Sequence, residues 1–320
     1  MTSARWLTTT FLLLLGAACF CLACVLGAIS IAKSPGFPQL ISAPYNRVQD
    51  FAFTLDHADC ELLIYGDSSA MTGDDPADIE SQTQLKTCNI SQTQPIVAAE
   101  GSLPIDLYLE RNSLPKYLVI QVAPEAFYQS HKLDEMAAFD PIMLRLRHAP
   151  GMGIYLTLLE HVPQALQFTS LVLQDQYKPD RVYAATFNRN YAKALPDYYS
   201  SRGLLTLAKA AQPACEPAKG LPKAADFGWV EEARRKFSAE GVKVLVTVSP
   251  IPECDPQLAI FRKDLAGHID GEVKTLPISL FNDGNRHFTR EGAAVVSETV
   301  AQEISAARSA SPHGANSLSN

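Results

Sequence analysis

The sequence carries no excess of positive charge: 27 Lys and Arg stand against 34 Asp and Glu in 320 residues, a formal net charge of -7. That balance argues against a nucleic-acid partner, because binding phosphate needs a cationic surface. Compositional extremes are also missing. Apolar residues make up 47% and charged residues 19%, which is ordinary globular usage and excludes wholesale disorder, collagen-like repetition and a polytopic membrane protein. Neither a metal nor a cofactor is expected. The length suits one large domain or two modest ones.

Charge is absent altogether from Phe11 to Ala32, a run flanked by Arg5 and Trp6 on one side and Lys33 on the other. As a helix this run measures about 33 Å, enough to cross a hydrocarbon core of about 30 Å. A cleaved signal peptide is the alternative. Its apolar region is shorter, about 7 to 15 residues, and the only tolerable cleavage signature, Ser30-Ile31-Ala32, lies at the far end of the run. An uncleaved signal anchor is therefore expected, with the body held on the extracytoplasmic side of the membrane.

Cys19, Cys21 and Cys24 lie inside this run, which leaves Cys60, Cys88, Cys215 and Cys254 in the body. An even number of cysteines suits pairing in an oxidising compartment, with buried free thiols as the alternative. Cys60 and Cys88 each stand at the start of an apparent strand, and the first two strands of a parallel sheet are commonly neighbours. Cys60–Cys88 is thus the expected bridge, and Cys215–Cys254 the weaker remainder.

Ser34-Pro35-Gly36-Phe37-Pro38 opens a polar linker over 33–56. Short apolar runs then follow at 61–65, 117–122 and 242–248, the pattern of strands buried on both faces. Helical spacing occurs from Trp229 to Glu240 and from Arg290 to about Ala307, where Ala294, Val295, Val300 and Ile304 form the apolar side. The expected fold is α/β with a doubly wound parallel sheet over 57–308, the site lying at the carboxyl ends of the strands. A helical insertion occupies about 130–220, with segments at 141–148, 153–161 and 163–174. Its Tyr155, Leu158, Leu159, Val162, Leu166 and Leu173 read as core, with a membrane- or partner-facing surface as the alternative. Residues 309–320 read as a disordered tail.

Chemistry enters after the first strand, at Gly66-Asp67-Ser68-Ser69 with Gly73 a turn later. A serine just beyond a buried strand can stand exposed beside its own backbone N–H. The plainer reading is a βα turn that caps the next helix. A nucleophilic serine needs a base, and His287 sits on a polar loop, Phe281 to Thr289, leading into the last helix. Asp283 could accept the Nδ1 proton and leave Nε2 toward Ser68. Ser69 serves as a control, expected to point away from His287 and to be lost at little cost.

These residues resemble the SGNH/GDSL hydrolase superfamily. Gly66-Asp67-Ser68 with Gly73 is similar to its nucleophile block, and His287 followed by Gly292-Ala293 is similar to its terminal Asp/His block. Ala99-Glu100-Gly101-Ser102, after an apparent strand at 87–91, is similar to the second block. The resemblance implies a three-layer αβα, flavodoxin-like fold, with Ser68 as nucleophile and the N–H groups of Ser68 and Gly101 as oxyanion donors. Two departures stand out. The third strand ends Val122-Ala123-Pro124-Glu125 without the family's Asn, and the usual Asp-x-x-His has become Asp283-x-x-x-His287, leaving Asn285 or Asp255 as substitutes for Asp283.

The anchor, the missing Asn and Val248-Ser249-Pro250-Ile251-Pro252 are closer to the membrane-tethered branch, which resembles bacterial polysaccharide and cell-wall O-acylation accessory proteins. That branch implies an esterase or O-acyltransferase in the periplasm or extracytoplasmic space. Its partners would be a cell-surface carbohydrate or acyl ester and a membrane-bound O-acyltransferase. A catalytically degenerate SGNH-like scaffold or binding protein is the second reading, and an anchored assembly protein with a chance Gly-Asp-Ser the third.

Overall fold

A computed structural model of the 320-residue chain describes residues 3–33, 51–128, 139–148, 153–177, 194, 196–206, 214–215, 221, 224–283 and 286–309. The chain divides into two compact units, Met1–Arg47 with Leu133–Arg189, and Val48–Lys132 with Asn190–Asn320.

The second unit is α/β and is built on a four-stranded parallel sheet. Its strands are β1 (Leu62–Gly66), β2 (Thr87–Asn89), β3 (Tyr117–Val122) and β4 (Lys243–Val248), in the order β2-β1-β3-β4. β1 and β3 pair in register from Leu62↔Tyr117 to Gly66↔Gln121, and β3 and β4 from Tyr117↔Lys243 to Val122↔Val248. All five residues of β1 are buried. Both sheet faces are covered, so the strands read as continuous apolar runs rather than alternating ones.

Two sets of helices cover those faces. Leu62, Ile64, Val119 and Leu245 pack against Ile79 and against Val300 and Ile304; these belong to α3 (Pro76–Thr83) and α11 (Arg290–Ser309). On the other face, Leu63, Tyr65, Leu118, Ile120 and Val246 meet Val97, Ile105, Val230 and Phe237. Those come from α4 (Gln94–Glu100), α5 (Leu103–Leu109) and α9 (Gly228–Ala239). Because the chain leaves β1 toward β2 and later reaches β4 beyond β3, the topological switch point of the sheet lies at the carboxyl ends of β1 and β3. A short helix, α2 (Ser68–Gly73), starts there. Beyond β4 come a β5–β6 pair (Ile251–Pro252 with Thr275–Leu276), α10 (Leu258–Asp264) and a β7–β8 hairpin (Phe281–Asp283 with His287–Phe288) that leads into α11.

Two expectations about this unit are corrected. The inner face of α11 carries Ala293, Val296, Val300 and Ile304, whereas Val295 is exposed and Ala294 lies outside the core. Small residues decide the rotation: Gly292 lies directly against the carbonyl of Leu280, and the Ser297 hydroxyl donates to Gly73 O at 3.2 Å. The linker also ends earlier than 56, since residues 51–54 are helical and Phe51 and Ala52 are buried. The Phe51 ring packs edge-on to Tyr198 at 4.8 Å and Tyr199 at 5.5 Å. Residues 34–50 and 310–320, the rest of the expected linker and tail, lie outside the described residues.

The first unit holds α1 (Ser3–Ala32), α6 (Phe139–His148), α7 (Gly153–Glu160) and α8 (Val162–Tyr177). Ala4–Ile31 of α1 is long and apolar enough to cross a membrane. Val25, Ala28 and Ile29 near its end are buried, and α1 packs against α8 and α6. Core assignment fails for most of the insertion. Leu158 is buried, but Tyr155, Leu159, Val162 and Leu166 are exposed, and the side chain of Leu173 lies outside the described residues. Three short helices and one end of α1 offer too little facing surface to cover apolar residues on every side of α7 and α8.

The structure pairs Cys60 with Cys88 and Cys215 with Cys254, at Cα separations of 5.9 and 6.1 Å. The first bridge joins the start of β1 to β2 and closes a loop of 28 residues. By loop-closure entropy it stabilises the α/β unit by about 3–4 kcal/mol. Cys60→Ser/Cys88→Ser should lower unfolding free energy in denaturant titration by that amount. Alkylation of Cys60 and Cys88 in unreduced, denatured protein would contradict the bridge.

Candidate active site

Gly66 ends β1 where any side chain would collide: a Cβ there would fall on the carbonyl oxygen of Gln121 in the neighbouring strand. Glycine lets β1 run tight against β3 to its last residue. The next residue, Asp67, is 1% exposed and caps α2. Its Oδ1 accepts from the Ser69 N–H at 2.9 Å and the Ser69 hydroxyl at 2.5 Å, and its Oδ2 accepts from the Ala123 N–H at 2.9 Å. The Ser69 hydroxyl lies 2.6 Å from that of Ser249, which follows β4. One carboxylate thus ties together the ends of β1, β3 and, through Ser69, β4.

Ser68 is the first residue of α2 and is half-buried. Its Oγ lies 2.9 Å from His287 Nε2, within reach for transfer of a proton from hydroxyl to imidazole. The Ser68 N–H finds no acceptor among the described residues, as the first N–H of a helix usually does not. Serine and histidine meet because α2 is docked on the strand that bears His287. A Cβ at Gly73 would sit 2.9 Å from the Phe288 ring and 3.2 Å from Val296, so only glycine allows that approach. The Phe288 N–H donates to Thr72 Oγ1 at 3.4 Å, and the Asp75 N–H donates to Ser297 Oγ at 2.7 Å.

The backbone of Asp283 pairs directly with that of His287 across the β7–β8 hairpin, where the ladder is irregular between Phe281 and Asp283. The side chain of Asp283 and all of Asn285 lie outside the described residues. Of Asp255, Oδ1 accepts the Gln257 N–H at 2.8 Å and Oδ2 accepts from Arg286 Nη2, next to His287, at 3.0 Å.

Gly101 does not supply an oxyanion donor. It is the C-cap of α4, its N–H donates to Val97 O at 3.1 Å, and its carbonyl accepts the Tyr65 hydroxyl at 2.5 Å. Ser69 likewise departs from expectation. Its hydroxyl bonds to Asp67 and Ser249 rather than to His287, as part of the buried Asp67 clamp.

Sequence reasoning missed several groups. Arg286, next to His287, donates from Nε to Glu125 Oε2 at 2.7 Å and from Nη2 to Glu125 Oε1. Burial lowers its pKa to about 10, with the nearby Asp67 charge working in the other direction. Glu125 lies in the 3₁₀ turn Pro124–Tyr128 after β3, where the resembled family has its Asn, and no local pattern in the sequence pairs it with Arg286. Behind the site, Gln121 Nε2 donates to both Asp74 oxygens at 3.1 Å and Gln121 Oε1 accepts from Thr247 at 3.2 Å. Among the described residues, no three His, Cys, Asp or Glu side chains gather as a metal site would require.

Against known proteins, no family model, curated protein or solved structure matches the chain.

Burial raises the pKa of Asp67, and raises that of Asp74 further, despite the Gln121 amide. A carboxyl whose folded pKa exceeds its unfolded value binds its proton more tightly when folded. The stability Asp74 contributes is therefore complete below its unfolded value of about 3.9 and is lost as pH rises through the folded value. Asp74→Asn should flatten that decline in thermal midpoint above about pH 4. Parallel midpoint curves for parent and variant would show that Asp74 does not titrate with folding.

Proposed function

We propose that the chain is a membrane-tethered, extracytoplasmic acyl-transfer enzyme of SGNH type, an esterase or O-acyltransferase acting on acyl esters of a cell-surface carbohydrate. The observation that carries the reading is the 2.9 Å approach of Ser68 Oγ to His287 Nε2 at the carboxyl ends of a parallel sheet. Support also comes from the two disulfides, which suit an oxidising compartment. The apolar helix at the N-terminus supplies the tether. A membrane-bound O-acyltransferase is the partner this reading implies.

In the proposed reaction His287 Nε2 takes the Ser68 proton as Oγ attacks the acyl carbonyl. The tetrahedral oxyanion receives the N–H of Ser68. Collapse breaks the ester bond, and the leaving alcohol takes the proton from Nε2. Water or a sugar hydroxyl then attacks the acyl-serine and gives its proton to Nε2; the acyl–Oγ bond breaks, Oγ takes the proton back from Nε2, and the acid or the sugar ester leaves. Asp283 is assigned the Nδ1 proton, from its backbone position opposite His287.

A second reading, a non-catalytic scaffold that binds a polymer or partner, is favoured by two observations. The Gly101 N–H is held within α4, and no Asn stands in Ala123-Pro124-Glu125 directly after β3.

The variants separate these readings. Ser68→Ala and His287→Ala should each cut turnover of an acyl ester by about 10⁴- to 10⁶-fold, with the double variant scarcely worse. Ser68→Ala should leave the thermal midpoint unchanged. Ser69→Ala should lower stability by about 1–3 kcal/mol, because it strips a partner from buried Asp67. Full activity in Ser68→Ala would remove Ser68 as the nucleophile, and a parent protein that turns over no acyl ester would favour the scaffold.

A further inference from the structure

The exposed apolar side chains of the first unit fall in two places. On α1, Trp6, Leu7, Phe11, Leu12, Leu13, Leu14, Phe20 and Leu22 are exposed on all sides, and burial begins only at Val25. From Trp6 through Ala23 a helix rises about 27 Å, close to a hydrocarbon core of about 30 Å. The exposed stretch therefore has the length of a bilayer crossing, and burial starts where the helix would leave the lipid. The second place is α7 and the start of α8, where Tyr155, Leu156, Leu159, Val162 and Leu166 are exposed, Leu159 to 76%. Thr157, Leu158 and Ala165 on the opposite side are buried. Such a patch is larger than scattered surface leucines explain.

We propose that this face of α7 and α8 rests in the headgroup and upper acyl region of the same bilayer that α1 crosses. The inference rests on the reading of α1 as a membrane span. Continuity selects the lipid as occupant: α8 packs on α1, and α7 packs on α6 and α8. The exposed leucines thus belong to the cluster that closes around α1 where the crossing ends. An apolar helix face of this kind lies about 5–10 Å into the boundary region. Such seating would give the first unit two attachments to the membrane, a spanning helix and a surface helix.

The test places single tryptophans in the full-length protein, reconstituted in phosphatidylcholine vesicles brominated either near the headgroup or near the chain end. Native Trp6 and Trp229 are replaced by Phe, and Leu159→Trp, Val162→Trp or Ile260→Trp is introduced; a fourth protein keeps Trp6 alone. Ile260, exposed on α10 of the α/β unit, is the comparison position outside the first unit. Leu159→Trp and Val162→Trp should lose emission in headgroup-brominated vesicles and lose little in chain-end-brominated ones. Trp6 should also be quenched, and Ile260→Trp should not. Quenched Trp6 with unquenched Leu159→Trp and Val162→Trp would overturn the surface contact and leave the span standing. If Trp6 too escapes quenching, the span reading fails and the proposal with it. A blue-shifted, unquenched Leu159→Trp whose emission follows protein density would show a second chain on this face and equally overturn the proposal.

Discussion

The Asp67 carboxylate is the constraint on which the site depends. Its two oxygens accept three hydrogen bonds, from residues following β1 and β3, and the Ser69 hydroxyl extends the link to Ser249 after β4. Three parallel strands end at one polar knot, which sets where α2 begins and so where Ser68 stands. Removing a carboxylate from water is costly, and burial accordingly raises its pKa. The bonded hydroxyl and amides, with the nearby charge of His287, work in the opposite direction. Stability and site geometry are thus coupled in one residue, beside a serine that itself has little structural work.

His287 reaches Ser68 by a separate route. Gly73 and Thr72 dock on Phe288, and Ser297 ties α11 to the end of α2, so the histidine strand is seated from below. Arg286 holds the same hairpin from the side, spanning Glu125 and Asp255. Both contacts act on backbone that flanks the imidazole. Small displacements there would open the 2.9 Å Ser68–His287 approach, and transfer geometry tolerates little error.

Much of this was legible in residue order. Strands buried on both faces read as unbroken apolar runs, so β1, β3 and β4 emerge within a residue or two of their observed limits. Ser68 and His287 stood out because each lies at a boundary between elements, in polar context. Hydrogen bonds between distant loops leave no such trace. Ser69–Ser249 and Arg286–Glu125 join residues 180 and 161 positions apart, and no local pattern points to either. The rotation of α11 escaped for a related reason: Gly292 and Ser297 face inward to meet Leu280 and Gly73, which apolar periodicity does not register. Gly101 reads as an oxyanion donor only by resemblance; its N–H closes the last turn of α4. On α7 and α8, an apolar pattern was equated with core, and exposed leucines carry the same pattern.

The central claim is that Ser68 is an activated nucleophile, and a serine-directed fluorophosphonate tests it most directly. The full-length protein is incubated with the probe, digested and mapped by mass spectrometry. The account predicts a single stoichiometric adduct on Ser68 that is absent from His287→Ala, since the hydroxyl reacts only when Nε2 takes its proton. An unmodified Ser68 in protein whose fold is intact, or equal labelling with and without His287, would contradict it.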